Sequence, residues 1–166
     1  MSSPLILVLI FGVAALLAAL FVYRRPRSSE HVEEIGLADL ERLITNLLQR
    51  GYDLGFLVFE LPGEERFVEF SKYIKEGARQ GVQLDFPLSP WSEPYYDQVK
   101  SLLESRRVAY TVEDTPNGPV REFIQVDFGQ DVTSAAATAK EIFERVFRVA
   151  PTIRLTADLE YVAPKN

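Results

Sequence analysis

Apolar residues fall into one long block and then a series of short periodic runs. The block, Leu5 to Tyr23, holds nineteen residues without a charge. After it, Leu37, Leu40, Leu43, Ile44, Leu47 and Leu48 recur at three- and four-residue steps, and Gly51 stands where a left-handed stop belongs. That spacing predicts an amphipathic helix over 37–50. Phe56 to Leu61 is a short apolar run closed by Pro62-Gly63, and Arg66 to Ile74 resumes after a four-residue link, so the two read as a β-hairpin. Val82, Leu84, Phe86 and Leu88 alternate with Gln83, Asp85 and Pro87, the signature of a third strand with one buried face.

The second half repeats this grammar. Ser89 to Pro94 is a turn-rich loop, and Tyr95, Tyr96, Val99, Leu102 and Leu103 mark a helix ending near Arg106. Val108, Tyr110 and Val112 alternate with Ala109, Thr111 and Glu113. Thr115-Pro116-Asn117-Gly118 is a turn, and Phe123 to Phe128 returns as the partner strand. Asp131 or Thr133 can cap a helix that buries Ala135, Ala136, Ala139, Ile142, Phe143, Val146 and Phe147, with Pro151 beyond its end. A last alternation places Ile153, Leu155, Ala157, Leu159 and Tyr161 on one side of a final strand. The order helix–three strands–helix–two strands–helix–strand predicts an α+β domain, an antiparallel sheet with helices packed on one face.

The apolar block predicts one transmembrane helix ahead of this domain. At about 1.5 Å per residue it is about 28 Å long, the thickness of the hydrocarbon layer. A cleaved signal peptide would carry basic residues before the block, and Met1 to Pro4 has none; Arg24, Arg25 and Arg27 follow it instead. Positive flanks stay in the cytoplasm, so the N-terminus should face out and the C-terminal domain in, at the cell membrane. The expected divisions are a tail over 1–4, the membrane helix over 5–23, a basic then polar linker over 24–35, and a cytoplasmic domain over 36–166. Ala14, Ala15, Ala18 and Ala19, near Gly12, offer either a helix-pairing face or the ordinary alanine content of a membrane span.

The element order resembles the small chaperones of type III secretion and their chaperone-like (TY-Chap) relatives, which share a helix–three strands–helix–two strands–helix layout. Glu65-Arg66-Phe67-Val68-Glu69-Phe70 is similar to a second-strand sequence of that group, and the pI near 4.9 resembles its acidic balance. The likeness spans about residues 37–148; the membrane segment and the strand after Pro151 are additions to it. It implies protein–protein binding, often as dimers, and no catalysis, so a homodimer is one expected state.

Charge and composition narrow the chemistry. The chain has 166 residues, 18 Lys and Arg against 24 Asp and Glu, no cysteine and one histidine, His31. Thiol catalysis, disulfides, cysteine metal sites and a Ser-His relay within the folded domain are thereby excluded. Taking Arg24, Arg25 and Arg27 from the 18 basic residues leaves residues 28–166 with 15 against 24, a net of −9. Nucleic acid is no partner for such a domain, and an anionic leaflet should hold it off on its linker. No glycine-rich phosphate loop appears, no calcium-loop spacing surrounds Gly129, and no cofactor is expected. His31 lies among glutamates as a solvated side chain, and Arg106-Arg107 offsets a helix dipole. Glu60 and Glu69 would share a sheet face in one hairpin register and could then serve acid–base work.

The most distinctive stretch is Phe86 to Tyr96, with three prolines, the only tryptophan and two adjacent tyrosines. Trp91 either folds over the sheet to close the core or stands as a binding anchor, joined by Tyr95, Tyr96 and Phe67 on the neighbouring strand. The functional expectation is a single-pass, membrane-anchored protein-binding domain, chaperone-like or adaptor, without catalytic residues, cofactor or metal. The alternatives are an accessory subunit of a larger membrane complex and an enzyme that works with carboxylates alone.

Overall fold

A computed structural model describes residues 28–76, 79–115 and 120–162. The expected membrane helix over 5–23, with Arg24, Arg25 and Arg27, lies outside the described residues. Among those described, no helix is long and apolar enough to cross a membrane. The chain runs through β1 (Ser28–Ile35), a 3₁₀ turn (Leu37–Asp39), α1 (Leu40–Arg50), β2 (Gly51–Glu60), β3 (Phe67–Lys75), β4 (Arg79–Pro87), α2 (Glu93–Arg106), β5 (Thr111–Asp114), β6 (Glu122–Gly129), α3 (Val132–Glu141), a π-helical turn (Ile142–Val146) and β7 (Leu155–Val162). The strands form a seven-stranded sheet in the order β1-β7-β2-β3-β4-β6-β5, every neighbour antiparallel. This is an α+β fold, an antiparallel sheet with three helices.

Burial alternates along the later part of β2 and along β3, β6 and most of β7, while β4 is buried continuously from Leu84 to Pro87. Leu57 and Phe59, Val68 and Phe70, Leu84 and Phe86, Ile124 and Val126, and Leu155, Ala157 and Leu159 are buried on one face. Leu40, Leu43, Ile44 and Leu47 of α1 and Ala135, Ala136 and Ala139 of α3 complete the core against them. The small alanines let α1 and α3 pack closely over the sheet. Asp131 caps α3 as expected, accepting from the Ser134 N–H at 3.0 Å. One continuous α-helix was expected to Phe147; the last turn is instead π-helical, closed by Phe147 N–H to Ile142 O at 2.9 Å.

Three local expectations change. The first is the linker. Its residues 28–35 are an edge strand paired with β7, Ile35 is buried, and the Arg50 guanidinium of α1 pairs with the Glu30 carboxylate. The segment Ser-Ser-Glu-His-Val-Glu-Glu-Ile carries little apolar pattern because an edge strand needs only one neighbour, and charge on it blocks further pairing. The second is Gly51, whose backbone is extended (φ −60°, ψ 138°) rather than left-handed. Space dictates the glycine there: a Cβ would press on the Leu47 carbonyl and the Lys72 stem. The third is the strand expected from Val108, which begins only at Thr111. Arg107 takes the left-handed conformation (φ 56°), and its N–H and that of Val108 close the end of α2.

Candidate functional site

The aromatic residues singled out by sequence converge on one another. Trp91 lies 4.6 Å from Phe67, 5.8 Å from Phe86 and 6.5 Å from Phe147, ring centre to ring centre. Tyr95 meets Phe147 edge-on at 5.2 Å, and Tyr96 is buried 6.4 Å from Phe86. The loop before α2 is locked by Ser92, whose buried Oγ accepts from the Ser89 N–H at 2.9 Å and donates to Pro87 O at 2.5 Å. This is the core-closing arrangement of the two open to Trp91. Tyr96 offers no surface to a partner, and Trp91, Tyr95 and Phe67 spend much of theirs on each other.

The opposite face of the sheet is different in kind. Strand alternation turns Phe56, Val58 and Glu60, Phe67, Glu69 and Ser71, Gln83 and Asp85, and Phe123, Gln125 and Asp127 away from the helices. The register lines these up in rows. One row crosses the whole sheet: His31, Asp158, Val58, Glu69, Asp85, Gln125 and Thr111 are successive cross-strand partners. Glu60 pairs with Phe67 one step away, so Glu60 and Glu69 do share this face, as the hairpin register allows.

Within that row the two central carboxyls differ. Asp85 is nearly out of water and saturated with donors: Ser71 Oγ at 2.6 Å, Gln83 Nε2 at 2.7 Å and Gln125 Nε2 at 3.1 Å. Burial still pushes its carboxyl above the ordinary range, against those three donors. Glu69, directly opposite, has no hydrogen bond or ion pair among the described residues. Burial first, and the Asp85 charge second, raise it from 4.5 to about 7. Farther along, Tyr73 lies over Gly81, where any Cβ would strike its ring, and donates to Asp127 at 2.6 Å. Burial and that bond push the Tyr73 phenol up to about 12. Burial opposes the charge on Asp127, yet bonds from Tyr73, the Gly129 N–H and Lys75 hold its carboxyl below the usual range.

The face is therefore acidic, with Glu60, Glu69, Asp85, Glu113, Asp127, Asp158 and Glu160 set among phenylalanines. Its basic groups among the described residues are His31, bound to Asp158 at 2.5 Å, and Lys75 and Arg79 at one end. Among the described residues, no three histidine, aspartate or glutamate side chains converge as metal ligands would. Asp85 is the residue that sequence reasoning passed over. Its place on the polar side of the β4 alternation was visible, but its neighbours across β3 and β6 were not. Comparison with known protein families, characterised proteins and solved structures gives no match to this chain.

Proposed function

We propose that this chain is a single-pass, membrane-anchored protein-binding domain without catalytic function, held at the cytoplasmic face by residues 5–23 with its N-terminus outside. The observation that carries the reading is the uncovered acidic and aromatic face of the sheet. Glu69 supports it: its carboxyl is half-buried and raised to about 7, and no donor among the described residues reaches it. A lysine or arginine from a bound chain would supply that donor. The resemblance to type III secretion chaperone-like domains supports the same class of activity, since it implies protein–protein binding without catalysis. Two copies facing each other through this surface would oppose like charges, so the partner here is a different, basic chain rather than a second copy. Arg24, Arg25 and Arg27 support the orientation.

The test is affinity purification of the full-length protein in mild detergent, beside a variant with Glu60→Lys and Glu113→Lys. The double variant should lose the co-purifying partner while its thermal melt is unchanged. A partner retained at full occupancy would remove the open face from the proposal. Recovery of the partner in fixed stoichiometry with further membrane subunits would select the accessory-subunit form of the same reading.

A further inference from the structure

The end of the sheet where the chain enters β1 carries a second surface, unlike the acidic face. Four large hydrophobic side chains among the described residues are exposed, namely Leu54 (76%), Ile74 (44%), Val112 (40%) and Tyr161 (36%). Val112 lies on the far edge strand, and the other three lie at one end of the sheet on the neighbouring strands β7, β2 and β3, where the Tyr161 ring stands 6.0 Å from Phe56. Gly51 and Ser28 both pair with Val162, which places the start of β1 beside Tyr161. The bulge after Gly51 carries Leu54 past Gly55, where a Cβ would press on the Tyr161 carbonyl, and the Ile74 N–H bonds to Asp53 at 2.8 Å. Leu54 and Tyr161 are also two of the five non-glycine residues with positive φ among the described residues, at 64° and 54°. A leucine held in the left-handed region and pushed into water serves nothing inside the domain.

The tether completes the argument. Because β1 begins at Ser28, only five Cα steps separate it from Tyr23, a reach of at most about 17 Å. A domain so tethered keeps the start of β1 within about 17 Å of the end of the span. From these observations, and resting on the reading of residues 5–23 as a membrane span, we infer that the corner formed by Leu54, Ile74 and Tyr161 docks on the lipid interface beside the entry point of the anchor. Leucine and tyrosine are suited to that layer, one immersing its side chain and the other placing its ring at headgroup level. Arg79, and Lys75 which also reaches Asp127 at 3.4 Å, stand where β3 gives way to β4 at the same end and can meet anionic headgroups. The acidic groups there are Asp53, engaged by the Ile74 N–H, Asp127, engaged by Tyr73 and Lys75, Glu76 and Glu160, and the Glu69–Asp85 pair lies farther up the sheet. Docking at this corner leaves the acidic face open to a partner.

The chain has no cysteine, so single cysteines report position without background. Full-length Leu54→Cys, Ile74→Cys and Val112→Cys proteins, each labelled with a nitrobenzoxadiazole fluorophore, are reconstituted into vesicles of phosphatidylcholine and phosphatidylglycerol. Labels at 54 and 74 should be quenched severalfold more strongly by a lipid-borne nitroxide than the label at 112, and shielded from aqueous iodide. Protein that floats with the vesicles while all three labels respond alike overturns the docking and leaves the anchor standing. Protein that fails to float overturns both.

Discussion

Glu69→Gln separates a carboxyl that burdens the fold from one that supports it. In the folded domain Glu69 is raised from 4.5 to about 7 by burial and by Asp85. Between those values the folded state keeps a proton that the unfolded chain has released, so stability falls as pH rises through the window and is recovered on acidification. The full shift corresponds to about 3 kcal/mol at ~1.4 kcal/mol per unit, and solvent access to the open face reduces this to about 1–2 kcal/mol. Glutamine keeps the shape and cannot ionise. Urea unfolding of the full-length protein in detergent, at about pH 5 and about pH 8, should therefore show wild type losing about 1–2 kcal/mol between the two. Glu69→Gln should lose much less and be the more stable protein at the higher pH. Equal pH dependence in the two proteins, or a variant less stable than wild type at the higher pH, would refute the assignment of Glu69 as desolvated and unpaired. The same variant should bind a basic partner more weakly, since the charge that the partner neutralises is gone.

Trp91→Ala removes a ring shared by Phe67, Phe86 and Phe147 and should cost about 3–5 kcal/mol in the melt; a normal melt with the partner lost would restore Trp91 as a binding anchor. Glu30→Gln leaves the mostly buried Arg50 guanidinium without its carboxylate, and hydrogen exchange should show β1 opening before the rest of the sheet. Lys72 is 3% exposed and donates to Leu48 O at 2.6 Å at the end of α1. Lys72→Ala should lower stability by about 2–3 kcal/mol, Lys72→Met by about 1, as measured by urea unfolding, because methionine keeps the packed stem. Leu54→Asn, a residue that tolerates positive φ, should leave the melt unchanged or slightly raised while weakening vesicle shielding of a label at Ile74→Cys.

What the amino-acid order determined is whatever rests on local periodicity. The helices at Leu40–Arg50 and Glu93–Arg106, the alternating strands from Phe56 to Pro87 and the Asp131 cap are each set by residues within a few positions, so spacing and side-chain chemistry suffice to read them. The membrane span expected at 5–23 rests on length and flanking charge alone and lies outside the described residues. Tertiary structure decided whatever depends on pairing between distant segments. Ser28–Ile35 has too few apolar residues to announce a strand and becomes one because β7, about 125 residues later, offers it a hydrogen-bonding edge. Glu69 and Asp85 become neighbours only through the β3–β4 register, and a slip of one residue would have turned one of them into the core. Trp91 packs against Phe147, which lies just past the π-helical turn, a contact that no local pattern announces. Cross-strand register and helix docking are long-range choices, made by the chain as a whole, and no window of sequence contains them.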